Sequence, residues 1–311
     1  MNRTLIIGSR GSKLALFQAE QAKASLLAIN PSIDVRIEII KTTGDVKSDP
    51  LTVIGGKGVF TKELEDALID RRIDIAVHSL KDLPTIVAPQ LTIGAICERE
   101  DPRDALVLRR DSNGASATLD GLPRQAIVGT SSQRRLTQLK ALRPDVVIKD
   151  LRGNVDTRLR KLDEGQYDAL ILASAGLKRL GLADRISVAI SPQQMLPAVG
   201  QGAVAIEVRG DDEISLNAVK ALDHYSTRLA CLAERSFLRA LGGGCQLPIA
   251  AHAILEDDGL ALDGLVASQD GKQIVRNTIS GKATEAEMLG TRLAERLLSL
   301  GANSLLQNSP T

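Results

Sequence analysis

The sequence has no tryptophan, two tyrosines and three phenylalanines in 311 residues. Proteins that grip single-stranded nucleic acid need aromatic platforms for base stacking, and such platforms are missing here. An excess of one charge is missing too. Lys and Arg number 39 against 38 Asp and Glu, for a net charge of +1. No overall field draws this chain to a polyanion. Cysteine is scarce, at positions 97, 231 and 245, with no CxxC pair, and there are three histidines. This excludes the usual zinc spacings, and no metal is expected. A small, odd cysteine count fits a reducing compartment. Long apolar runs are also lacking. The opening MNRTLIIGSRGSK is too short in apolar residues for a signal peptide, and no stretch approaches a membrane span. The expectation is a cytoplasmic protein with no nucleic-acid or membrane partner.

What is present is ordinary globular material, 43% hydrophobic and 25% charged, long enough for two or three domains. Strand, Gly/Ser turn and helix follow one another at 4–7, 8–12 and 13–29. Such a turn presents backbone N–H groups and a helix dipole to an anion, and Arg10 adds a planar fork. A plain βα turn with a surface arginine is the other reading. The glycine spacing is neither GxGxxG nor a P-loop, so a nucleotide gains no support. A half-buried strand at 34–40 leads into a long irregular stretch, 41–58, of the kind that forms lids and binding loops. Thr61 is expected to cap a helix running to about residue 71.

A buried strand at 73–78 delivers Ser79, Leu80, Lys81, Asp82, Leu83 and Pro84. Ligands of open α/β sheets bind beyond the carboxyl ends of strands. Asp82 stands at such an end. Its carboxylate either caps the turn or serves a ligand, as acceptor, proton carrier or cation stabiliser. His78 reads as a packed strand residue and Cys97 as core.

Residues 98–103, EREDPR, read as a domain crossing. A strand at 126–129 then meets TSSQRR and a helix to about residue 143. Thr130, Ser131 and Ser132 supply hydroxyls and a cap. Arg134 and Arg135 fall in the first helical turn, where the dipole favours acids, so a bound anion is expected to offset them. The pattern repeats at 146–150, with Arg152, a capping Asn154 and Arg158, and again at 168–173, with Lys178 and Arg179. Four strand-to-helix turns carrying arginine predict a cleft for a ligand with several carboxylates or phosphates. After Pro/Gly-rich residues 192–202, a strand at 203–208 reads as a crossing back to the first domain, followed by a helix at 214–222.

A last unit holds a helix at 230–241, strands at 249–255, 260–267 and 273–280, and a helix at 284–300. Between helix and first strand lies LGGGCQLP. Gly242 is a natural helix stop, and Cys245 follows on a bare, pliable backbone. That placement suits a thiol joined to something bulky. An incidental cysteine after a helix stop is the plainer alternative. Cys231 is expected to be buried.

The strings GSRGSKLAL, GGKGVFTKELE, DIAVHSLKDLP, CEREDPRDA, GTSSQRR, AGLKRLG, LPAVGQGA and LGGGCQLPI name a family. The chain resembles the porphobilinogen deaminase (hydroxymethylbilane synthase) family over essentially its whole length. The resemblance implies an α/β fold: two periplasmic-binding-protein-like (type II) domains with a cleft between them, and a small C-terminal α/β domain. Residues 1–100 and 201–221 would form domain 1, residues 101–200 domain 2 and residues 222–311 domain 3. It implies a dipyrromethane cofactor in thioether linkage to Cys245, and Asp82 as the catalytic residue. Lys81, Ser131, Ser132, Arg134 and Arg135 would bind the cofactor. Arg10, Ser12, Arg152, Arg158, Arg179, Lys57 and Phe60 would bind substrate.

The implied activity is stepwise head-to-tail condensation of four porphobilinogen units with loss of ammonia, then hydrolytic release of hydroxymethylbilane. The implied state is a monomer with a small-molecule substrate. One departure stands out: between Asp45 and Pro50 the chain is one residue short of the usual pattern, and Val53 stands where the family often has lysine. A non-catalytic anion-binding protein of periplasmic-binding-protein type is the competing class. It explains neither Cys245 on its glycine loop nor Asp82.

Overall fold

The computed structural model describes residues 3–42, 61–110, 118–243, 247–257 and 259–307. Among these the elements run β1 Leu5–Ser9, α1 Lys13–Ile29, β2 Val35–Ile39, α2 Lys62–Ile69, β3 Ile75–Ser79, β4 Leu91–Ile96 and β5 Asp104–Leu108. They continue β6 Ile127–Gly129, α3 Gln133–Leu142, β7 Val147–Lys149, α4 Val155–Asp163, β8 Ala169–Ala173, α5 Ser174–Arg179, β9 Val188–Ala189, β10 Val204–Arg209 and α6 Glu213–Lys220. The last are α7 Tyr225–Ala240, β11 Ile249–Glu256, β12 Gly259–Ala267, β13 Ile274–Lys282 and α8 Ala286–Leu297. The chain divides into two compact units, Met1–Glu100 with Ala203–Leu229, and Asp101–Gly202 with Ala230–Thr311.

In the first unit five strands lie in the order β2-β1-β3-β10-β4. β1 is parallel to β2 and to β3, while β10 runs antiparallel to both β3 and β4. Helices cover both faces, so the central strands β3 and β10 are buried along nearly their whole length rather than alternating between buried and exposed. Ile7, Ile75, Val77 and Ile206 pack with Ala19, Ala22 and Leu26 of α1. Leu64, Ala67 and Leu68 of α2 close over Ile73 and Ala76. Ser12 starts α1, its hydroxyl accepting the Ala15 N–H at 3.3 Å. Thr61 stands at the start of α2, but its side chain makes no capping bond there, unlike the expectation. An ionic cluster closes the amino end of β3: Arg209 bridges Asp74 and Asp212, and Arg3 reaches the same two carboxylates.

The second unit repeats the scheme, with five strands ordered β7-β6-β8-β5-β9. β6 is parallel to β7 and β8, and β5 is antiparallel to β8 and β9. Leu106, Val128, Leu139 and Ile171 form the core on one face. Val107, Leu159, Leu162, Leu170 and Leu177 form it on the other. The same unit holds an antiparallel sheet, β11-β12-β13. α7 begins at Tyr225, five residues before the expected start. Its first turn is tied by Arg228 to Asp223 at 2.6 Å and by Thr227 to His224, and histidine is not a residue that announces a cap.

Candidate functional site

Parallel pairing decides which turns meet. β1 and β3 are parallel neighbours, with Gly8 opposite Ala76. The turn carrying Arg10 and Ser12 therefore lies beyond the same sheet edge as the turn carrying Lys81 and Asp82. A single 3-10 turn, Leu80–Asp82, follows β3. Backbone groups hold it: Leu80 N–H donates to Ala203 O at 3.0 Å and Leu83 N–H to Leu80 O at 3.2 Å. The Asp82 side chain takes no part. It is exposed and makes no hydrogen bond among the described residues, so it does not cap its turn. His78 behind it is packed, with Nε2 at 3.0 Å from Glu207 Oε2, both side chains shut off from water. Cys97 packs half-buried against the core of the first unit.

In the second unit β6, β7 and β8 are parallel neighbours. Their following turns bring Ser131, Ser132, Arg134, Arg135, Arg152 and the α5 helix with Arg179 to one sheet edge. Ser131 stitches two of these turns together, since its hydroxyl accepts the Leu151 N–H at 3.0 Å and donates to Leu151 O. Ser132 stands at the start of α3 without capping it, and its hydroxyl has no partner among the described residues. Asn154 likewise stands at the start of α4 without a side-chain cap. Arg152 bonds Asp150 at 2.8 Å, Arg158 donates to Gly153 O at 2.7 Å, and Arg179 donates to Gly202 O at 2.7 Å.

Arg134 and Arg135 correct one expectation. The protein itself supplies one anion against the pair, Asp104 from β5, where the sequence pointed only to a ligand. Arg134 forks onto Asp104 at 2.6 and 3.1 Å, and Arg135 Nε donates to it at 2.9 Å. All three side chains are buried. Burial alone would push the Asp104 carboxyl up, but the two guanidiniums outweigh it and hold the group well below the usual carboxylate range. Burial also lowers Arg135, which Asp104 opposes. Two cations against one carboxylate leave one positive charge over, and Arg134 Nε is buried without a partner among the described residues. This surplus suits a further carboxylate.

Asp101 holds Arg103 through two side-chain bonds at 2.8 Å and Lys178 at 3.1 Å. Burial opposes ionisation there, but the Arg103 side chain, its backbone N–H and Lys178 bring the carboxyl down to about 2. Neither Asp101 nor Asp104 is foreseen from the sequence, where Asp101 falls in the charged crossing and Asp104 directly follows it. The available signal is a carboxylate opening an otherwise apolar strand, DALVL, which requires a buried partner.

Cys245, Lys57 and Phe60 lie outside the described residues. Three positions before Cys245 in the sequence, Gly242 has φ +64°. Its N–H bonds Arg239 O and that of Gly243 bonds Leu238 O, both at 3.0 Å, which ends α7. Cys231 is fully buried in α7. Among the described residues no group of three or more His, Cys, Asp or Glu is placed to hold a metal ion.

Comparison with known proteins draws these features together. Residues 5–217 match the family model "Porphobilinogen deaminase, dipyromethane cofactor binding domain", and residues 228–299 match its C-terminal domain. A porphobilinogen deaminase of Roseiflexus sp. (strain RS-1) is 51% identical over 98% of this chain and 99% of its own length. One of Synechococcus sp. (strain RCC307) is 52% identical over 97% and 95%. Among solved structures, the second substrate binding domain of a putative amino acid ABC transporter from Streptococcus pneumoniae is similar at TM-score 0.45. It is 14% identical, over 77% of this chain and 95% of that one. On the two model matches and the two near full-length relatives, this chain belongs to the porphobilinogen deaminase family.

Proposed function

We infer that this chain condenses four porphobilinogen units head to tail, with loss of ammonia, and releases hydroxymethylbilane by hydrolysis. The step belongs to tetrapyrrole biosynthesis and makes the protein a transferase. The observation that carries the reading is Asp82, an exposed carboxylate beyond the carboxyl end of β3 with no partner among the described residues. A side chain that the fold leaves unused at that position is available to a ligand. There it accepts hydrogen bonds from pyrrole N–H groups and stabilises the positive charge that develops on a pyrrole as ammonia departs. Arg10 and Ser12 stand beyond the same sheet edge to take a substrate carboxylate.

The dipyrromethane cofactor, when bound, supplies the free pyrrole α-carbon from which the chain grows. The donor set of the second unit fits its carboxylate arms: a buried surplus positive charge at Arg134 and Arg135, and a Ser132 hydroxyl with no partner among the described residues. Lys81 and Ser131 complete the group assigned to it, and Cys245 is its attachment point. Arg152, Arg158 and Arg179 orient the carboxylates of the growing chain, and Lys57 and Phe60 contact substrate. Each porphobilinogen brings two carboxylates, which accounts for arginine-rich turns in a chain of almost zero net charge. The family resemblance also supports three domains, 1–100 with 201–221, 101–200 and 222–311, in a cytoplasmic monomer. No helix among the described residues is long and apolar enough to cross a membrane.

Intact mass tests the reading. Wild type should carry the surplus of two linked pyrroles and Cys245→Ala should lack it. A wild-type chain that stays at its bare mass after incubation with porphobilinogen would sink the assignment.

A further inference from the structure

We propose that Asp104 and Gln201 are positioning residues of the anion site, orienting Arg134 and Arg135 without touching ligand. The proposal rests on the reading that these two arginines hold carboxylate arms. Arg134 and Arg135 are consecutive on α3, so their side chains leave the helix about 100° apart. A third group has to bring the two guanidiniums together. Asp104 does so, with Oδ1 accepting from Nη2 of Arg134 and Nε of Arg135, and Oδ2 accepting from Nη1 of Arg134.

Gln201 fixes Asp104 in turn. Its amide nitrogen donates to Asp104 Oδ1 at 3.0 Å and to Pro102 O at 2.7 Å, and its amide oxygen accepts from Arg135 at 3.5 Å. Relative exposures are 0% for Asp104, 1% for Gln201, 5% for Arg134 and 6% for Arg135. Water therefore does not compete for these bonds, and the geometry is set by protein groups alone. Further anchors hold the frame. Glu234 of α7 accepts the Gly200 N–H at 2.7 Å, next to Gln201. Arg134 also donates to Leu196 O at 2.8 Å, and Gln138 exchanges two bonds with Leu196. A preorganised pair of guanidiniums binds a planar carboxylate without first having to be ordered.

The test uses full-length apo chain, made in cells that produce no porphobilinogen, and follows the gain in intact mass when porphobilinogen is added. Asp104→Asn and Gln201→Met should fold, as judged by circular dichroism. They should acquire the two-pyrrole mass roughly ten- to a hundred-fold more slowly than wild type. A merely structural role would lower the melting temperature and leave the loading rate of the folded chain unchanged. Wild-type loading in both folded variants overturns the proposal. A variant that fails to fold assigns its residue to the fold and overturns that half, leaving the other to decide the rest. A chain with Arg134→Ala and Arg135→Ala separates the two inferences. Normal loading there sinks the anion-site reading itself, while slow loading there with normal Asp104 and Gln201 variants sinks only the positioning.

Discussion

Asp104 takes a two-bond fork from Arg134, at 2.6 and 3.1 Å, with both side chains closed to solvent. Removing one partner of a buried ion pair leaves an uncompensated charge, which costs about 3–5 kcal/mol. Asp104→Ala strands two guanidiniums and should lose stability in that range. Urea unfolding of variant and wild type measures it, and an unchanged midpoint would show that the pair contributes nothing.

Asp82 presents the opposite case. Its carboxylate is exposed and bonds no protein group among the described residues, so the fold does not depend on it. Asp82→Asn should leave stability within about 0.5 kcal/mol of wild type. Ammonia release from porphobilinogen should fall by roughly a hundred-fold or more. Retained release would remove Asp82 from the chemistry.

The Asp101 carboxyl, held at about 2 by Arg103 and Lys178 against its burial, links stability to acid. A carboxyl whose folded pKa lies below its unfolded value of about 4 stabilises fully above that value. The contribution fades as pH falls from about 4 towards 2. Thermal melts across that window should fall less steeply for Asp101→Asn than for wild type. Parallel curves would mean that Asp101 is not linked to folding.

Gly271 has φ +73°, and a Cβ there would lie 2.6 Å from Thr137 O of α3. The hairpin between β12 and β13 thus touches the helix that carries both arginines. Gly271→Ala combines backbone strain with a clash against a carbonyl, at a cost of about 1–3 kcal/mol. A melting temperature equal to wild type would show that the hairpin yields freely.

Much of this protein is determined by the order of residues alone. The run 13–29 declares α1 to the residue, because Ser12 caps it and its apolar positions recur at helical spacing. Strands β1, β3, β8 and β10 are legible because each is a short apolar run bounded by turn residues. The motifs around Asp82, Arg134 and Cys245 carry the family on their own, since those residue types and spacings are local. What the tertiary structure decided is non-local. Ser132, Asn154 and Thr61 stand where caps are expected and their side chains do not cap. β9, two residues long, forms only because β5 is there to pair with it. The anion that offsets Arg134 of α3 lies 30 positions away on strand β5, and Gln201 lies 66 from Arg135. No periodicity joins such distant positions. The sheet brings them together, and the cost of burying a charge without a partner selects which of them stay.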